Sequence, residues 1–213
     1  IMMLLSFFVK EDAAIFVLIL GVFYLFSRKD KKRGLILMVC SMVYFIIAIA
    51  VVNSYGLGVL DSRFSNLYFD STKGFGQIIQ TIIMNPGYVI SQIIANGDAS
   101  NMDKIEYIIL MFVPMAPVIF TTGKKYSRYI LLAPLVIVNL CTTYVYLHAI
   151  GFQYNFGVIA LLIYLAIMNV SDRDCRNTKT LLSIAVICAS IMFTGSMLPK
   201  LGNGIKSYNE NKE

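Results

Sequence analysis

Charge is scarce in this chain. Only 14% of its 213 residues are charged, 58% are hydrophobic, and the mean hydropathy is +0.73. Several uncharged stretches approach the roughly 20 residues that cross a bilayer, so the composition implies a polytopic membrane protein rather than a water-soluble domain. Paired cysteines are missing too. Cys40, Cys141 and Cys188 lie in apolar runs, Cys175 lies in a charged loop, and with no CxxC spacing the four are expected to be free thiols. There is no P-loop, GxGxxG, HExxH or GxSxG, which leaves ATP-driven transport, dinucleotide chemistry, zinc proteolysis and serine hydrolysis without their motifs. No inverted repeat relates the two halves, which weakens a secondary-transporter reading. The net charge of +6 is scattered in short clusters between apolar runs, a distribution that suits membrane orientation and not nucleic-acid binding. No basic segment precedes the first apolar run, so a signal peptide is not expected, and a chain opening on Ile1 reads as a piece of a longer protein lacking its N-terminal half.

What is present is a series of uncharged runs, at 13–27, 34–52, 107–121, 129–147, 154–170 and 180–198, with a truncated run at 1–9. These predict an all-α, polytopic transmembrane helical bundle over 1–198, with about six full spans plus a truncated N-terminal one, followed by a polar tail at 199–213. Eleven of the 18 basic residues fall in every second connection, in loops 28–33, 122–128 and 171–179, against Asp30, Asp172 and Asp174. The positive-inside rule makes those loops cytoplasmic and turns the alternate connections outward. Pro114, Pro117 and Pro134 each remove a helix hydrogen bond and predict kinks inside the spans.

The long outer segment 53–106 carries two amphipathic stretches at about 75–96. Apolar residues recur at 75, 78, 79, 82 and 83, then at 89, 90, 93 and 94, and Asn85-Pro86-Gly87 breaks the middle. Lacking charge, these two short helices are expected in the outer interface or packed on the bundle.

Candidate chemistry concentrates on the outer side. Lys10, Glu11 and Asp12 interrupt two uncharged runs. A carboxylate within a span costs at least about 2.5 kcal/mol and so points into a bundle or a watered cleft. At a helix N-terminus it simply favours the dipole, by about 0.3–1 kcal/mol, and charge logic weighs the two readings equally. Arg63, in an aromatic loop with Tyr68, could hold a phosphate bidentately. His148, the single histidine, ends a span, where such a residue is more often solvated or hydrogen-bonded than a ligand. Gln153 and Tyr154 could bond a sugar hydroxyl or anchor the interface.

In order, "VKEDAAIFVLILGVFYLFSRKDKKRG", "TIIMNPG", "FVPMAPV", "LLAPLVIVNL" and "GFQYNFGVIALLIY" resemble the C-terminal half of a bacterial family of polytopic membrane proteins known as a domain of unknown function and grouped with the GT-C glycosyltransferases. The resemblance covers about Val9 to Asp172. It implies transfer of a sugar from a polyprenyl-phosphate carrier at the outer membrane face, with membrane lipid and that lipid-linked sugar as partners. Such transfer needs a carboxylate to activate the acceptor hydroxyl, a role for Glu11 or Asp12, and cations on the leaving phosphate, a role for Lys10 or Arg63. Tyr68, His148, Gln153 and Tyr154 complete the substrate-binding set. No resident metal is assigned, and a divalent ion is the one cofactor left open. Two departures matter: Gln153 stands where the family has histidine, and the family's main catalytic carboxylate, in a first outer loop, is missing, so this piece alone is expected to be inactive. A transporter or flippase-like lipid-binding protein, or a non-catalytic scaffold, is the alternative.

Overall fold

A computed structural model of the protein describes residues 6–7, 12–55, 63–68, 74–94, 102–113, 115–123, 125–149, 153–189 and 191–192; these form helices and turns, with no strand among them. The first helix, α1 (Ala13–Phe26), turns back through Ser27–Asp30 into α2 (Lys31–Ser54). Asp30 makes the turn work by accepting the Arg33 N–H at 3.2 Å, which satisfies one of the orphan donors at the start of α2. The two helices then cross in backbone contact, because Gly21 faces Gly34 and neither has a side chain to hold them apart. Ser41, two turns beyond Gly34, is buried on the same face and returns its hydroxyl to the Leu37 carbonyl at 2.6 Å.

Helix α2 has 24 residues, and an 18-residue stretch within it has a mean hydropathy of 2.9 and almost no burial within the protein. At 1.5 Å per residue it is about 36 Å long, enough by itself to cross a hydrocarbon core of about 30 Å. It is the one described helix with that length and composition; shorter apolar helical runs occupy Ala13–Phe26, Tyr126–Leu140 and Phe156–Ser171.

The outer segment forms the expected pair of short helices, α3 (Phe75–Met84) and α4 (Pro86–Ile94), broken at Asn85. Helix α5 (Met102–Phe112) follows, then the single turn α6 (Ala116–Ile119). The run 107–121, read as one span, is therefore two pieces. Pro114 cannot donate to a continuing ladder and disfavours helix at Val113, and Pro117 re-enters at the start of α6, where its missing N–H is no loss.

A second expected span is also irregular. Residues 126–140 begin as a 3-10 helix (Tyr126–Leu132), pass Pro134, and widen into a π-helix (Leu135–Leu140). Beyond it Cys141–Tyr144 is not helical, and a short 3-10 turn (Val145–His148) closes the region. Side chains take over the carbonyls this break exposes: Lys104 Nζ donates to Leu140 O at 2.8 Å, and Asn66 Nδ2 donates to Cys141 O at 2.9 Å. Irregular backbone is tolerated at membrane depth where protein groups satisfy it in this way. Another 3-10 turn (Gln153–Asn155) opens α7 (Phe156–Ser171), and a last helix, α8, runs over 176–189.

Helices α1 and α7 lie side by side and parallel. Phe16 packs over Gly157, where a Cβ would overlap its ring, and Phe23 meets Tyr164 edge to face at 6.0 Å, both pairs being 141 positions apart. Around this axis Phe23, Met111, Met115, Val118, Leu131, Leu135, Leu161 and Leu165 form one buried cluster. Because α1 and α7 keep the same register throughout, the N-terminal end of α1 arrives beside the turn that precedes α7.

Candidate functional site

That register brings together residues 12, 63 and 154. Asp12 stands at the N-cap of α1, yet its carboxylate makes no capping bond to the helix. Its Oδ2 faces Arg63 Nη1 at 3.7 Å instead, with the two side chains 19% and 13% exposed. The guanidinium carbon of Arg63 lies 4.9 Å from the centre of the Tyr154 ring, and Nη2 reaches the Tyr154 hydroxyl at 3.4 Å. Asp12 thus both stands where it favours the α1 dipole and faces Arg63, so the two readings that charge logic weighed equally are compatible in this geometry.

Arg63 is fixed from behind. Thr142, fully buried in the unwound segment, donates its hydroxyl to the Arg63 carbonyl and accepts the Tyr144 N–H at 3.0 Å. The guanidinium itself is held loosely. Both polar contacts are longer than the 2.7–2.9 Å of a well-formed charge-assisted bond, and a guanidinium has five donors, so Arg63 keeps capacity for another anion. Below it a narrow cleft of about 40 Å³ is walled by Ile15 of α1, Phe45, Ile49 and Val52 of α2, and Val138 and Leu147. Apart from this ion pair, Asn53 is the one polar residue among the described residues lining the cleft.

The turn that presents Tyr154 is stiffened by a polar network in the core. Asn139, on the π-helix, donates to Leu147 O at 2.7 Å and to the Tyr107 hydroxyl at 2.9 Å, and Tyr107 donates to Asn155 Oδ1 at 2.6 Å. Asn155 in turn donates to Ala149 O at 2.7 Å. All three side chains are essentially inaccessible, and the network ties α5, the π-helix and the start of α7 to one another. Sequence reasoning missed these residues and Thr142, although one signal was visible: Asn139 is a lone amide inside the apolar run "LVIVNL", and polar groups at such depth are seldom idle.

The other expected site residues fall elsewhere. Tyr68 packs with Leu67, Ile78 and Cys141, in a smaller apolar cluster. His148 is buried, at 3% exposure, and not the solvated interfacial residue its position suggested; it shares its turn with Leu147 of the cleft wall. Lys10 and Glu11 lie outside the described residues, and Gln153 is described in its backbone alone. Among the described residues no three of His, Cys, Asp and Glu gather as metal ligands.

A second charged cluster marks the far end of α7. Arg128 is 5% exposed; it donates to Asn169 Oδ1 at 2.9 Å and to Asp172, which Lys125 also meets at 2.6 Å. Asn169 donates onward to Val118 O at 2.9 Å, and Arg173 donates to Thr121 O. The Lys125 ammonium, and then Arg128, hold the Asp172 carboxyl below the usual carboxylate range. Tyr154 precedes α7 and Asp172 follows it, so the 16 residues of α7, at about 1.5 Å each, put the two clusters at least about 24 Å apart.

No curated protein and no solved structure matches the chain. The model of one family, described as "Predicted membrane protein (DUF2079)", matches residues 1–212, and the chain belongs to that family of membrane proteins of unknown function.

Proposed function

We propose that the chain is the C-terminal part of a multi-pass membrane protein of GT-C type, which as a whole transfers a sugar from a polyprenyl-phosphate carrier at the outer membrane face. The observation that carries this reading is Arg63, a guanidinium with unused donors at the mouth of an apolar cleft, beside a carboxylate. Sidedness follows from charge. Lys125, Arg128 and Arg173 gather at one end of α7 and belong in the cytoplasm by the positive-inside rule, while Asp12, Arg63 and Tyr154 gather at the other and face outward.

In the full-length protein these groups would work beside the main carboxylate of the first outer loop. Asp12 takes the proton of an acceptor hydroxyl as that oxygen bonds to the anomeric carbon of the sugar. The bond from that carbon to the phosphate oxygen breaks, its electron pair leaves with the phosphate, and Arg63 stabilises the charge that develops there. Tyr154 presents the face of its ring to the guanidinium carbon at 4.9 Å. Glu11 and Lys10, next to Asp12 in sequence, remain partners in the same roles, as do Tyr68, His148 and Gln153 toward the sugar.

The test is binding of polyprenyl phosphate to purified full-length protein in detergent. Arg63→Ala is expected to lose about 1.5–3 kcal/mol, roughly a tenfold to hundredfold fall in affinity, and Arg63→Lys to fall between it and the wild type. Asp12→Asn is expected to bind normally and lose transfer. If Arg63→Ala binds as tightly as wild type, the phosphate site is elsewhere. If Asp12→Asn instead alters the pH dependence of an uptake, the protein is a transporter.

A further inference from the structure

The hairpin of α3 and α4 is inside out for a segment in water. From Gly74 to Ile94 it has no charged residue. Its outward residues are Ile79, Ile82, Ile83, Met84, Tyr88 and Ile90, with Ile83 and Met84 at the tip 73% and 70% exposed. Two polar residues share that side, Gln80 and Ser91, and Gln80 Nε2 turns back on Met84 Sδ at 3.7 Å. The others turn inward: Thr81 is buried at 2% exposure, its hydroxyl without a hydrogen-bond partner among the described residues, and the Tyr88 hydroxyl reaches back to the Asn66 carbonyl at 2.6 Å. Gln92 Oε1 accepts Asn66 Nδ2 at 2.9 Å, and Ser91 returns its hydroxyl to Tyr88 O at 2.7 Å.

The backbone follows the same pattern. Pro86 has no N–H to satisfy at the turn, the Asn85 N–H bonds to Thr81 O at 2.9 Å, and the Val89 N–H bonds to Asn85 O at 3.1 Å. Near the end of α4 the Gln92 carbonyl accepts the Lys104 ammonium at 2.6 Å. Lys104 itself is fully buried, so a cation is spent inside the protein on closing a helix end that water could have served. Polar groups satisfied from within and apolar groups turned out are the requirement that hydrocarbon imposes on a chain. The surface is also continuous with the outer face of α5, where Ile105, Ile109 and Leu110 are exposed.

We infer that the hairpin Phe75–Ile94 is immersed in the acyl chains of the bilayer, its Met84–Tyr88 tip leading, and that lipid hydrocarbon is the partner of this surface. The argument is independent of any transfer chemistry. An uncharged, mainly apolar surface, whose exposed Gln80 and Ser91 bond within the hairpin itself, complements a medium with neither charge nor hydrogen-bonding groups.

Residues 1–213 contain no tryptophan, so Ile83→Trp supplies a single reporter once any tryptophan elsewhere in the full-length protein is replaced by phenylalanine. The full-length variant is reconstituted into phosphatidylcholine vesicles with plain or brominated acyl chains. The expected result is blue-shifted emission, quenched several-fold by the brominated chains and untouched by aqueous iodide. Quenching by iodide without quenching by bromine would put the hairpin in water and overturn the inference. Blue-shifted emission indifferent to both quenchers would also overturn it, by showing that protein, such as a second copy, covers the surface. Met84→Trp, read in the same way, serves if Ile83→Trp does not fold.

Discussion

Replacing Gly34 with alanine tests the packing on which the site rests. A Cβ on Gly34 would lie 2.9 Å from the Gly21 carbonyl oxygen and 3.0 Å from the Leu25 nitrogen; one on Gly21 would lie 2.9 Å from the Gly34 carbonyl oxygen. Carbon and oxygen atoms in close helix contacts stay about 3.3–3.6 Å apart, so α1 and α2 must separate by about half an ångström. The obstacles are backbone atoms and cannot rotate aside. Overpacking of this kind costs about 1–3 kcal/mol. Alanine also favours helix over glycine, by about 1 kcal/mol, which would mask part of the effect. Gly76 of α3 supplies the correction, since it is helical and a Cβ there meets nothing within 4 Å. Gly76→Ala should leave stability unchanged or raise it, whereas Gly34→Ala should lower it relative to Gly76→Ala by the overpacking cost, about a 5- to 150-fold change in the unfolding equilibrium. For a chain of this length that is a difference of about 2–12 °C in unfolding midpoint, measurable on purified protein in detergent. Equal midpoints for the two alanine variants would refute the close crossing. A shift of α1 would carry Asp12 with it, so Gly34→Ala should also weaken whatever Arg63 binds.

Two further outcomes concern the opposite end of α7. Asp172 has its folded pKa depressed by Lys125 and Arg128, so its contribution is present above the unfolded value of about 3.9 and is lost as pH falls through the folded one. Asp172→Asn should therefore destabilise the protein at neutral pH by about 1 kcal/mol and converge on wild type well below pH ~4; an offset constant with pH would contradict this. Cys175 is exposed, and hydrogen bonds from the backbone at Thr178 lower its thiol pKa, so it should react readily with a membrane-impermeant maleimide. With Cys40 and Cys188 replaced by serine, labelling is expected in inside-out vesicles and not from the outer face; the reverse would invert the proposed orientation.

The helical class and the membrane environment were legible in the residues, because hydropathy and charge spacing are local quantities. Segments 13–26, 31–54, 75–94 and 156–171 came close to their expected bounds, since in each one signal, an apolar run or a broken amphipathic repeat, meets no competing one. The run 129–147 did not. Its hydropathy is that of a span, but the break after Leu140 depends on Lys104 and Asn66 reaching in from 36 and 75 positions away. Nothing local to that run records those donors.

By itself, then, the sequence determined that this chain is helical, apolar, suited to a bilayer, and carries its few charges in clusters that alternate along its length. Only the tertiary structure decided that Asp12 meets Arg63, that Tyr154 rather than Tyr68 stacks on that guanidinium, and that His148 is buried. The physical reason lies in range. Periodicity and insertion energy are summed over neighbours in the chain, whereas the pairing of residues 51 and 91 positions apart depends on α1 and α7 keeping one register, which Gly157 permits by making room for Phe16.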